Sequence, residues 1–422
     1  MHHFNPKGGV LHAEDVSLEA LGLAVGTPFY VYADATLRRH VRIFKEAFRG
    51  ADALVAYSVK ANSNLAVLHV MREEGAGADV VSGGELKRAL KAGMSPDRIV
   101  FSGVGKTRAE MAEALDAGIF QFNVESDAEL DALNEVALSK SERAAIAFRI
   151  NPDIAAGGHE KISTGKAEDK FGVNWETARA LYAKAAALKG VDPVGIDFHI
   201  GSQISDLAPF ERALARVGDI IAALRADGRT IARLDVGGGL GVPYGDGPAP
   251  PEPKAYADLV RRMTAPLGVK LIFEPGRMIA ANAGILVSRV LYVKEGAAKK
   301  FLILDAGMND LMRPALYDAF HAIEPVRERA GAAQTYDIVG PVCESADRFA
   351  RARVLAPMEA GDLVAIMTAG AYGASLASEY NTRPLVAEVL ARGDKYAVIR
   401  RRPSFEEILA RESAGGWTTI QG

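Results

Sequence analysis

The chain is poor in cysteine, in net charge and in long apolar runs, and each shortage narrows what it can be. It has 422 residues and one cysteine, Cys343, so no internal disulfide can form and a reducing, cytoplasmic compartment is expected. Its 50 basic and 53 acidic side chains leave a formal charge of −3. That balance supplies no basic field for nucleic acid or an anionic membrane. The longest uncharged runs, such as 20–33, fall short of a membrane span and contain glycine and proline. The opening MHHFNPKGGVLHAEDV has neither an apolar signal core nor an Arg-rich transit pattern. Internal repeats and low-complexity tracts are missing too. The Pro-rich GDGPAPPEPK (245–254) reads as a surface loop.

What remains is a soluble globular composition, 49% hydrophobic and 24% charged, in a chain long enough for about two domains. Between residues 35 and 275, short β-rich runs alternate with amphipathic helical stretches. The strand candidates are 54–59, 78–81, 98–102, 120–124, 144–150, 194–199, 231–236 and 270–274. Helical patterns at 37–48, 84–93 and 126–138 lie between them, the last opening with a Ser N-cap and an acidic first turn. Eight buried strands alternating with helices predict a (β/α)8 TIM-type barrel, with a doubly wound open sheet as the rival. Beyond residue 276 the runs 287–295, 300–307, 333–341 and 362–370 follow one another without long helices. They predict a C-terminal β-sandwich or barrel domain, residues 276–422, that also takes the N-terminal strand at 28–33 from residues 1–34.

In such a barrel, chemistry is carried at the C-terminal ends of the strands. Those ends bring Lys60, Ser82, Ser102, Glu125, Asn151, His199, Gly237–Gly239 and Glu274 to one face. Lys60 after an apolar strand is a candidate imine-forming amine, its pKa lowered by desolvation; its bland alternative is a lysine snorkelling at a strand end. His199 can equally be a structural histidine. Glycines after the seventh strand suit a phosphate but also suit a tight turn. Glu274, before Pro275, can be an exposed turn acid. Their joint placement weighs more than any one of them.

The segments AYSVKAN (56–62), DVVSGGEL (79–86), RINPD (149–153), KFG (170–172), DFHIGSQ (197–203), DVGGGLG (235–241), EPGR (274–277), MRPALY (312–317), CESAD (343–347) and AGAYG (369–373) run in order through nearly the whole chain. In these the sequence resembles the alanine-racemase-like, fold-type III barrel enzymes that use pyridoxal 5'-phosphate, and among them the diaminopimelate decarboxylase family. The resemblance implies decarboxylation of meso-2,6-diaminopimelate to L-lysine and CO2. It implies Lys60 as the Schiff-base lysine, His199 stacked on the pyridine ring and Glu274 at the ring nitrogen. Ser202, Gly238, Gly239, Gly276 and Arg277 would surround the phosphate, and Tyr372 would reach the cofactor from the β domain. A substrate with an amino-acid group at each end needs a distal carboxylate clamp, for which Arg277, Arg313 and Tyr317 are suited, and an acid for the distal ammonium, Glu344. Tyr372 also counts among the substrate-binding candidates.

Cys343 is by itself a small buried hydrophobe. The resemblance instead makes it the thiol that reprotonates the α-carbon, in an active site shared across a homodimer. No metal is called for. The alternatives are a decarboxylase for ornithine, arginine or carboxynorspermidine, which needs no Arg313 clamp, and a non-catalytic regulatory homologue, which Lys60 and Cys343 argue against. A barrel-only cofactor carrier would lack the β domain. A racemase of this fold usually places arginine where Glu274 stands.

Overall fold

A computed structural model describes residues 2–154, 170–245 and 249–420. Part of the loop reading for 245–254 therefore falls outside the described residues. Two compact units emerge. The first comprises chiefly Ala33–Gly284 and Thr368–Ser375, the second Phe4–Tyr32, Ile285–Met367 and Leu376 onward.

The first unit is a closed barrel of eight parallel strands: β1 (Ala53–Ser58), β2 (Gly77–Val80), β3 (Ile99–Phe101), β4 (Gln121–Val124), β5 (Ala144–Arg149), β6 (Val191–Asp197), β7 (Arg233–Asp235) and β8 (Lys270–Phe273). Each pairs with the next, and β8 closes on β1 through Leu271–Ala53, Ile272–Leu54 and Phe273–Val55. Covered on both faces, these strands read as near-continuous apolar runs, which is why the sequence announces them. Leu54, Ala56, Val100 and Ile272 form a buried cluster with Phe120 against it.

The helices follow from local chemistry. In Asp34–Ala47, Leu37, Val41 and Phe44 fall at helical spacing and are buried. The Phe44 ring packs edge-on against Phe273 of β8 at 5.7 Å. Ser126 caps Asp127–Ser139 by accepting from the Glu129 N–H at 3.2 Å, as the sequence predicts. Thr107 and Glu110 form a reciprocal capping box at Arg108–Ala117.

The second unit is a nine-stranded mixed sheet. Gly284–Glu295 is its spine, pairing with Lys300–Leu304 and Leu363–Ile366, and Lys300–Leu304 runs parallel to Gln334–Val339. The N-terminal strand Phe29–Ala33 joins this sheet between Gly284–Glu295 and Ala387–Arg392. Four strands here escape the sequence pattern, the shortest being Ile323–Pro325. Arg348–Leu355 interleaves Arg348, Arg351 and Arg353 with its apolar residues. Ala387–Arg392 and Lys395–Arg400 form a hairpin across Gly393–Asp394, with Gly393 at φ 58°. A three-stranded sheet over residues 4–17 is likewise unanticipated. The uncharged run 20–33 divides between the helix Leu18–Val25 and the strand Phe29–Ala33. No helix among the described residues is long and apolar enough to cross a membrane.

Candidate active site

Lys60 lies in a single 3-10 turn, Val59–Ala61, directly after β1. Its Nζ donates at 3.5 Å to Oδ2 of Asp79 on β2, and that oxygen also accepts from Ser58 Oγ at 2.8 Å. The expected lowering of the Lys60 pKa does not occur. Burial pulls it down, but Asp79, Tyr372 and Glu274 outweigh burial and raise it. The side chain keeps 44% of its surface, yet burial is the largest single influence on the amine, overcome only by these groups together. The amine is therefore a charged group held by a carboxylate.

Below it the barrel interior is polar. Glu274, after β8, is buried, which removes the turn-acid reading. Its Oε1 accepts from Ser102 Oγ at 3.1 Å. Asn123 Nδ2 donates to Ser102 Oγ at 3.1 Å and to Asp235 Oδ2 at 3.2 Å, while Gln121 Nε2 donates to Asn123 Oδ1 at 2.8 Å. One oriented chain of hydrogen bonds thus runs Gln121–Asn123–Ser102–Glu274. Asp197, Asp235 and Glu274 place a carboxylate oxygen each within 4.8 Å of one another. Burial, then the neighbouring carboxylates, drives all three pKa values well above the ordinary range, against Lys60 and Arg149 at Glu274 and Arg149 at Asp197. Asp197 Oδ1 and Asp79 Oδ1 are buried without a hydrogen-bond partner among the described residues.

Gly238 N–H donates to His199 Nδ1 at 3.2 Å, so the neutral ring carries its proton on Nε2. Burial, Arg149 and Lys60 lower the His199 pKa well below its usual value, keeping the ring neutral. A Cβ at Gly238 would sit 2.4 Å from the Glu274 carbonyl oxygen, and one at Gly239, where φ is 103°, 2.5 Å from that of Gly201. Glycine is therefore required where the loops after β6, β7 and β8 converge. Arg277, buried, donates to Ser202 Oγ through Nε at 3.3 Å and Nη2 at 2.9 Å, and to Tyr244 Oη through Nη1 at 2.7 Å. Its guanidinium lies 4.8 Å from the Tyr372 ring centroid. Tyr372 is tied to this unit by its N–H to the Ala61 carbonyl at 2.8 Å.

Lys60, His199, Ser202, Gly238, Gly239, Glu274, Gly276, Arg277 and Tyr372 all belong to the barrel unit, including Tyr372, which the sequence placed in the β domain. Arg313, Tyr317, Cys343 and Glu344 belong to the second. There Cys343 is exposed, so the buried-hydrophobe reading fails. Its turn is pinned by Asp347, whose carboxylate accepts from Val342 N–H and Met308 N–H, both at 2.6 Å. Glu344 accepts from the Tyr380 hydroxyl. Arg313 is buried and donates through Nη1 to His321 Nε2 at 2.9 Å. Asp79, Asn123, Asp235, Tyr244 and His321 were not singled out from sequence. The available signal was a polar residue inside an apolar strand, as in DVV and FQFNV.

The donor set suits pyridoxal phosphate. A strand-end amine, a buried carboxyl opposite, a flat neutral imidazole and an arginine beside a serine hydroxyl and glycine turns are the groups its aldehyde, ring nitrogen, ring face and phosphate each need.

The fold and site define a pyridoxal-dependent enzyme. The family model for "Pyridoxal-dependent decarboxylase, pyridoxal binding domain" matches residues 34–281. The chain is 51% identical over 420 residues to a diaminopimelate decarboxylase of Zymomonas mobilis, covering 98% of this chain and 99% of that one. A diaminopimelate decarboxylase of Helicobacter pylori, crystallised with L-lysine, superposes with TM-score 0.90 at 43% identity, covering 93% and 98%. That of M. jannaschii, also with L-lysine, gives 0.94 at 37% identity, covering 98% and 99%. The chain belongs to the diaminopimelate decarboxylase family.

Proposed function

We propose that the protein removes CO2 from meso-2,6-diaminopimelate to give L-lysine, with pyridoxal phosphate as cofactor. The full-length identity to diaminopimelate decarboxylases, in a chain that keeps Lys60, Glu274 and Arg277 on one barrel, carries this reading. When bound, the cofactor supplies an electron sink for the pair left behind by CO2. Lys60 offers the amine that would hold the cofactor, and Asp79 beside it orients that amine. Glu274, oriented by Ser102 and Asn123, holds a proton toward the ring nitrogen. His199 presents a neutral ring face, its tautomer set by Gly238. Ser202, Gly238, Gly239, Gly276 and Arg277 bind the phosphate, and Arg277 and Tyr372 border the substrate.

On the second unit, Arg313 and Tyr317 take the distal carboxylate, Glu344 the distal ammonium, and the exposed Cys343 thiol returns a proton to the α-carbon. The reading includes a cytoplasmic homodimer whose partner supplies Cys343 and Glu344 to each Lys60. An arginine beside Tyr317 favours diaminopimelate over ornithine, arginine or carboxynorspermidine, which carry no distal carboxylate requiring this clamp.

Purified, cofactor-loaded protein should release CO2 from meso-diaminopimelate and from none of the three rival substrates. Turnover of another substrate instead would overturn the specificity, and silence on all four would overturn the enzymatic reading. For the shared site, Lys60→Ala mixed with Cys343→Ala should regain part of the activity each lacks; none regained despite subunit exchange argues against it.

A further inference from the structure

Arg313 is held from behind. His321, eight residues on and fully buried, accepts at Nε2 from Arg313 Nη1 at 2.9 Å. Its other nitrogen, Nδ1, lies 2.8 Å from the Met367 carbonyl oxygen. A carbonyl only accepts, so Nδ1 must carry the proton; a guanidinium only donates, so Nε2 must be bare. These two contacts together fix both the tautomer and the neutral state. The backbone around the ring is anchored as well. Met367 N–H donates to the Ala322 carbonyl at 2.8 Å, and Arg353 donates to the His321 carbonyl at 3.1 Å. Ile323 then pairs with Ile366 in the sheet.

We propose that His321 is a positioning residue for Arg313, transmitting the fixed sheet backbone at Met367 to the guanidinium that takes the substrate's distal carboxylate. The inference rests on the reading of Arg313 as that clamp. An arginine side chain gives up rotamer freedom when it is fixed. His321 withdraws that freedom before substrate arrives, using one of five guanidinium donors. The ring must stay neutral to do so, since an imidazolium has no acceptor and would set two cations together in a buried place.

The distal carboxylate is not the one lost, so it survives in L-lysine. Both meso-diaminopimelate KM and L-lysine affinity therefore report on the clamp, while kcat reports mainly on the reacting end. The test compares Arg313→Ala, His321→Asn and His321→Gln as holoenzymes. Asn retains a donor for Met367 but offers nothing to Arg313; Gln can place an acceptor near the Nε2 position. His321→Asn should raise KM and the L-lysine Kd together by about 10–100-fold, the range for a lost charged hydrogen bond, with a smaller fall in kcat. His321→Gln should recover most of that loss.

Wild-type KM and Kd in His321→Asn, with both impaired in Arg313→Ala, would overturn the role of His321 alone. Wild-type values in Arg313→Ala would overturn the clamp and this inference with it. Should His321→Asn fail to fold, histidine 15N shifts of the intact wild-type holoenzyme decide: a neutral Nδ1–H ring at position 321 supports the relay, and an Nε2–H or charged ring refutes it.

Discussion

Glu85 offers a test of the site's electrostatics that needs no cofactor. It sits in the first turn of the helix Gly83–Lys91 and accepts from the Val81 N–H at 2.9 Å. Burial, followed by the negative charge of Asp79, pushes its pKa up from 4.5 to about 7, against the Val81 N–H, Lys60 and Arg88. The folded state thus holds this proton more tightly than the unfolded chain does. The associated stability is fully present below pH 4.5 and is lost as pH rises through 7. That interval corresponds to about 3 kcal/mol. Glu85→Gln keeps an oxygen for Val81 and removes the charge. In cofactor-free protein the variant should match wild type within about 1 kcal/mol at pH 5 and exceed it by about 3 kcal/mol at pH 9. For a barrel of this size that gap is a Tm difference of about 6–12 °C. Urea denaturation at the two pH values measures it directly. An equal offset at both, or a weaker variant at pH 9, would refute the assignment of a raised carboxyl here.

Asn123→Leu removes the donor shared by Ser102 and Asp235 at similar volume, and should cost about 2–5 kcal/mol in a urea melt; under 1 kcal/mol would show that the chain to Glu274 is not a structural link. Gly238→Ala pushes a Cβ to 2.4 Å from the Glu274 carbonyl oxygen and should lower stability by about 1–3 kcal/mol and weaken cofactor binding in an absorbance titration. Wild-type behaviour in both assays would mean the loops yield freely. Asp347→Asn turns an amide NH2 toward one of the two N–H groups, Val342 or Met308, from which the carboxylate now accepts, so the turn should loosen and the sole thiol, Cys343, should react severalfold faster with a disulfide reagent. An unchanged labelling rate would count against Asp347 as the anchor.

The barrel was legible because strands covered on both sides carry apolar runs such as LVAYS and KLIF, and their ends display the candidate chemistry at Lys60, His199 and Glu274. The β unit was less so. Arg348–Leu355 breaks its apolar run with arginine at 348, 351 and 353, and the Gly393–Asp394 hairpin signal is only two residues long. The polar barrel floor was hidden for another reason. Asp79, Asn123 and Asp235 each interrupt an apolar strand, and only closure of the eight strands turns scattered interruptions into one network. The sign of the Lys60 shift was likewise invisible, because the outcome depends on how many carboxylates share the barrel interior with the amine.

The place of Phe29–Ala33 in its sheet carries a consequence for synthesis. Its neighbours there are Gly284–Glu295 and Ala387–Arg392, so the strand waits for a partner made more than 350 residues after it. At about 5–20 residues per second the wait is on the order of 20–70 s. All five residues of that strand, FYVYA, end buried. Until Gly284–Glu295 is made they form an apolar, β-prone segment without a partner, and one edge stays open until Ala387–Arg392 follows. Productive yield therefore hinges on shielding this strand in the nascent chain, and a slowed ribosome or a missing chaperone would be felt there before it is felt in the barrel.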